Sequence, residues 1–145
     1  MRLRGYGIEV DLPAGWDGRI YRRPRGEATL HAANFPLPPE DGEFGISATA
    51  AMPADGVFVA LTEYRRKLAG KGLFAHRGLP LPLRQSDPDP RTLLLARPGQ
   101  AAIQRFCTVT GRPFCLYLVV GPPPSRAALL RRTSSVLESV SIAPS

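Results

Sequence analysis

Two histidines, two cysteines and one cluster of carboxylates are the residues whose types and spacing invite a chemical reading. His31 and His76 are far apart, and neither has a Cys, Asp or Glu at ligand spacing, so no metal site is expected. Cys107 and Cys115 match neither a CxxC redox pair nor a secreted disulfide framework and are expected as free thiols. Using Cys115 as a nucleophile with His31 as its base would need a proximity that nothing in the spacing announces, and no Gly-x-Ser-x-Gly elbow is present. Glu40, Asp41 and Glu43 sit among Pro36, Pro38, Pro39 and Gly42, the composition of a solvated turn rather than of a paired acid and base. Gly70-Lys71-Gly72 lacks the Lys-Ser/Thr ending and the strand-loop-helix setting of a phosphate loop and reads as a helix terminus. Catalysis, a metal and a cofactor are therefore not expected.

Charge is the remaining chemical signal. The formal net charge is +7, and every basic residue except Lys67 and Lys71 is arginine. Seven of the arginines, from Arg91 to Arg132, occur with no Asp or Glu between Asp89 and Glu138, so the excess belongs to the C-terminal half. Arg126, Arg131 and Arg132 would form a basic face on a closing helix and supply weak, sequence-indifferent attraction for nucleic acid, or a small-molecule site.

Positioning these residues requires a folded body. With 145 residues, 43% hydrophobic and 21% charged, the chain is long enough to bury about two-thirds of its unfolded surface as one domain, 1–145. Alternation predicts a strand over Tyr6–Leu12, followed by strands over Arg19–Arg23 and Ala28–Phe35, a loop over Pro36–Gly42 and a weak strand over Phe44–Met52. Asp55 is a candidate cap for a helix over Gly56–Ala69, with Val57, Leu61, Tyr64 and Leu68 on one stripe. Lys71–Pro98 reads as irregular, with a short strand at Thr92–Ala96. A hairpin joins Ala101–Thr110 to Pro113–Val120 around Gly111-Arg112, setting Cys107 opposite Leu116 and the two cysteines on opposite faces. Ser125 caps the closing helix, which buries Leu129, Thr133, Val136, Leu137 and Val140.

A first strand ending Leu12-Pro13-Ala14-Gly15-Trp16, a late long hairpin and a last helix running into Val136-Leu137-Glu138-Ser139-Val140-Ser141-Ile142 resemble a known fold family. It is typified by the PsbP-type extrinsic subunit of photosystem II and the Ran-binding nuclear import factor of the same fold. Leu12–Pro24, Ala33–Pro39, Phe58–Tyr64 and Arg112–Gly121 are more closely similar to small actinobacterial proteins with no assigned activity. The resemblance implies an α/β (α+β) domain, an antiparallel sheet flanked by helices in an α-β-α sandwich, and carries no site residues.

With no apolar run of signal-peptide or membrane-spanning length, a cytoplasmic protein without a membrane partner is expected. The leading expectation is a non-enzymatic module that docks on a partner protein. Its contact strip would be Phe74, Arg77, Leu79, Leu81 and Arg84, where Pro80 and Pro82 stiffen an extended segment. The competing expectation is that these leucines cover the sheet.

Overall fold

The computed structural model describes residues 1–144. In chain order its elements are β1 (Arg2–Gly5), β2 (Ile8–Asp11), β3 (Asp17–Arg22), β4 (Ala28–Ala33), α1 (Ile46–Ala50), β5 (Val57–Glu63), β6 (Ala101–Val109), β7 (Arg112–Val120), α2 (Arg126–Glu138) and β8 (Ser141–Ile142). Five strands form an antiparallel sheet in the order β3-β4-β5-β7-β6, and β1-β2-β8 form a smaller antiparallel sheet.

The centre of the large sheet is the segment expected as a helix. Val57-Phe58-Val59-Ala60-Leu61-Thr62-Glu63 is buried at every position and pairs with β4 on one side and β7 on the other. A strand buried on both faces has no polar alternation, so its apolar run also satisfies a helical spacing; its β-branched and aromatic content decides for strand. The expected α-β-α sandwich is corrected by the same observation. Among the described residues α2 is the only helix longer than five residues, and the architecture is two antiparallel sheets with one helix on one face.

That face buries Leu30, Val59, Leu61, Ile103, Phe114, Leu116 and Leu118 beneath Ile8 and Val10 of β2 and Leu129, Leu130, Val136 and Leu137 of α2. The opposite face buries Ala33, Phe58, Ala60, Cys115, Tyr117 and Val119 beneath the 35–52 segment, through Phe35, Leu37 and Ala48. The strand expected over Phe44–Met52 is instead the five-residue α1, consistent with the helix preference of its alanines. Its leading Gly45 has φ 73°, and a Cβ there would stand 2.2 Å from the Phe58 ring, so only glycine lets the segment lie this close to the sheet.

Three further expectations are adjusted. Tyr6–Leu12 is not one strand: Tyr6 and Gly7, at φ 53° and 79°, form a tight turn between β1 and β2. The long hairpin turns at Thr110-Gly111, with φ 50° and 79°, one residue earlier than expected, so Cys107 faces Phe114 and Phe106 faces Cys115. Because the loop still has two residues, side-chain facing is preserved. The cysteines are unbonded and lie on opposite faces. Thr92–Ala96 forms no strand; Pro90–Thr92 is a single 3-10 turn.

Candidate functional site

Two hydrogen-bonded pairs of ionisable side chains are buried, one at each face of the large sheet. On the irregularly covered face, β4 carries His31 fully inside. Its Nδ1 lies 2.8 Å from Asp41 Oδ2 and its Nε2 lies 3.0 Å from the Glu43 carbonyl oxygen. Tyr21 and Phe58 pack edge-on against the ring, with centroids at 5.3 and 5.2 Å. Burial alone would push the Asp41 carboxyl up; the hydrogen bond and attraction from His31, with Arg19 at 3.8 Å, outweigh it and hold Asp41 below the ordinary carboxylate range. Both ring nitrogens are committed to acceptors, so neither is free to serve a substrate as base.

At the other face, Arg112 opens β7 and Glu63 closes β5. Arg112 Nε and Nη2 donate to the two Glu63 carboxylate oxygens, each at 2.9 Å, while Nη2 and Nη1 also donate to the carbonyls of Tyr6 (2.8 Å) and Ala143 (3.0 Å). One guanidinium thus ties the large sheet to the turn and the tail that flank the small one. All three of its nitrogens donate to acceptors of the protein itself, the arrangement of a structural clamp.

A cleft of about 780 Å³ opens beside the first pair, between β3, the turn that follows it and residues 39–43. Its basic wall is Arg19, Arg22, Arg23 and Arg25, and its acidic wall is Glu40, Asp41 and Glu43. The charges are not equally committed. Arg23 Nη1 pairs with Glu43 at 2.7 Å and its guanidinium lies over Tyr64, while Arg19 donates to the Pro38 and Pro39 carbonyls, each at 2.8 Å. Arg22 donates to the Gly26 carbonyl at 3.2 Å. Among the described residues neither Arg22 nor Arg25 pairs with a carboxylate, and both are exposed. β3, which forms one wall of the cleft, has a hydrogen-bonded neighbour on one side only, and β1 packs against it through Gly5 and Ile20.

The residues singled out from sequence are placed elsewhere. Phe74 is buried, and Leu79 and Leu81 are half-buried against the core, so the strip covers the sheet, leaving Arg77 and Arg84 in solvent. Leu83 is buried outright, its amide bonded to Ser134 Oγ of α2 at 3.0 Å. On α2, Arg131 and Arg132 are exposed, but Arg126 is bonded to the Gly121 carbonyl at 2.9 Å and Ser125 makes no side-chain cap. His76 is exposed and distant in sequence from any acid; burial raises the Cys107 thiol to about 12 and the Cys115 thiol to about 11, so both are protonated and unreactive at neutral pH.

Sequence reasoning passed over the cleft and both buried pairs. One signal was available: a histidine inside a strand buried along its length needs a partner, and the acids nearest to hand are in the proline-rich loop that follows. For Glu63 the signal was a lone acid at the end of an apolar run. Among the described residues no three His, Cys, Asp or Glu side chains converge as metal ligands, and no helix is long and apolar enough to cross a membrane. Comparison with family models, with curated proteins and with solved structures finds no match to this chain, so the candidate site is read from its own geometry.

Proposed function

We propose that the protein is a non-enzymatic recognition module that receives an extended, acidic segment of a partner protein along the β3 edge. The observation that carries this reading is an arginine-bearing trough beside a strand hydrogen-bonded on one side only, with Arg22 and Arg25 paired to no carboxylate among the described residues while Arg19 stands 3.8 Å from Asp41 and Arg23 2.7 Å from Glu43. A strand added to a sheet edge gains main-chain hydrogen bonds, and alternate side chains supply selectivity; arginine pairs well with carboxylates on such a segment. The locked imidazole favours binding over catalysis. Two unbonded thiols suit a reducing compartment, which supports placing the protein in the cytoplasm.

The cleft volume also lies within the range of small-ligand sites, which gives a second reading, a small organic anion. Openness weighs against it. Arg22, Arg25, Glu40 and Glu43 all stand in solvent, whereas small-ligand sites enclose most of their occupant.

Titrating a synthetic peptide of alternating glutamate and valine, about ten residues long, into labelled protein tests both. Amide shifts concentrated in β3 and abolished by the double variant Arg22→Glu/Arg25→Glu support the peptide reading. Citrate or inorganic phosphate giving those shifts where the peptide does not would favour the small anion. Silence in β3 with all probes refutes the site.

A further inference from the structure

A second exposed basic segment follows β5 and shares Phe74, Arg77 and Arg84 with the strip expected from sequence. Between Glu63 and Asp87 the chain carries Arg65, Arg66, Lys67, Lys71, Arg77 and Arg84 without an acid. All six are exposed. Arg66 approaches buried Glu63 at 3.9 Å; Arg65, Lys67, Lys71 and Arg77 have no side-chain hydrogen bond or ion pair among the described residues.

Apolar side chains stand among these cations. Leu73 is 69% exposed and Leu68 37% exposed. They cannot readily fold inward, because the loop is fastened to β6 at one residue. Thr108 Oγ1 accepts from the Gly70 amide at 2.8 Å and donates to the Phe74 carbonyl at 2.7 Å, while its own amide and carbonyl bond to His76 (2.8 Å) and Gly78 (2.9 Å). The Phe74 ring is held against Phe106 and Tyr64, with centroids at 5.4 and 5.6 Å. Burying Phe74 leaves its neighbour Leu73 in solvent.

We infer that the 65–77 loop is a peripheral contact for an anionic phospholipid surface, with its cations at the headgroups and Leu73 and Leu68 in the interfacial layer. Cations with protruding aliphatic groups match the two requirements of reversible surface binding, attraction to anionic headgroups and burial of apolar area. RNA would also attract the cations, but single-stranded RNA binding uses aromatic stacking, and the loop's Phe74 is buried while Tyr64 is half-buried under Arg23. A lipid surface needs no complementary groove. The absence of a spanning helix does not bear on such contact.

Flotation with vesicles of phosphatidylcholine, with and without about 30% phosphatidylglycerol, at about 0.1 M salt tests the inference. Binding is expected to the anionic vesicles alone. Lys67→Ala/Lys71→Ala should weaken it roughly 25-fold, about fivefold per cation, and Leu73→Ser about tenfold. Arg131→Ala/Arg132→Ala, the same loss of charge on α2, should change it less than about twofold. All these positions are exposed, and melting curves verify that each variant is folded. The inference is overturned if vesicle charge has no effect, if the α2 variant loses as much as the loop variant, or if Leu73→Ser binds like the parent. Capture of a single-stranded RNA oligonucleotide that is independent of Leu73 and displaces the vesicles would reassign the loop to nucleic acid.

Discussion

The two faces of the large sheet solve the same problem with different materials. One is closed by regular structure, α2 and the β1-β2-β8 sheet, whose apolar side chains interlock with those of β5 and β7. The other is closed by a segment with five helical residues and otherwise turns and loops, held by polar contacts such as Leu37 N to Asp17 (2.8 Å) and the Asn34 side chain to Val57 N (2.8 Å) and the Asp55 carbonyl (2.9 Å). Each face also contains one buried, hydrogen-bonded pair of ionisable side chains. Arg112 at the regular face joins two sheets, whereas His31 at the irregular face holds a loop. The contrast teaches that irregular cover must be fastened by directed bonds, since it lacks the repeating apolar stripe of a helix or strand.

The largest effect is expected at the regular face. Arg112→Ala removes both short hydrogen bonds to buried Glu63, leaving it only the exposed Arg66 at 3.9 Å, and leaves the Tyr6 and Ala143 carbonyls without this donor, which should lower stability by about 3 kcal/mol in urea unfolding. Arg112→Met/Glu63→Leu should recover much of that loss. A double variant as weak as the single one would show that the carbonyl contacts, not the charge, are what the arginine supplies.

Asp41→Asn at the irregular face should cost less, about 2 kcal/mol, because only a loop is released. It should also change the response to acid. Asp41 is held below its ordinary range, so it adds stability above the unfolded carboxyl value of about 3.9 and loses that addition as pH falls through its lower folded value. The difference in stability between parent and Asp41→Asn should therefore shrink below about pH 4. A gap that stays constant down to pH 2 would mean that the ionised form is not what holds the loop.

Leu81→Asp tests where the regular face ends. Half-buried against the core, it should lose about 1–2 kcal/mol, and an unchanged melting temperature would return the 79–83 strip to solvent and to the docking role expected of it. Arg22→Glu/Arg25→Glu should lie within about 0.5 kcal/mol of the parent, since both residues are exposed and neither pairs with a carboxylate. A larger loss would show that the cleft arginines support the fold, removing the reason to assign them to a partner.

What could be read from sequence follows the same division. β3, β4, the β6–β7 hairpin and α2 were legible because their patterning and turn residues act locally. β5 was not, because burial on two faces removes the alternation that marks a strand. The cover of the irregular face was legible only as a proline-rich loop; that Asp41 turns inward depends on His31 across ten residues, and Arg112 meets Glu63 across 49. Nor did spacing show that Arg22 and Arg25 would share a cleft with Glu40, because the edge position of β3 is set by the order of all five strands.

The two thiols give this asymmetry a clock. Cys107 lies under the regular cover and Cys115 under the irregular one, and each must be uncovered before it can be alkylated. If the 35–52 segment lifts as a cooperative unit of its own, Cys115 is modified through partial opening and its rate depends weakly on denaturant, while Cys107 waits for global unfolding and follows its steep dependence. Mass-resolved labelling of the parent protein would then read two opening free energies from one chain, with no probe introduced. Equal rates at every denaturant concentration would mean that the two faces, however differently built, come apart as one.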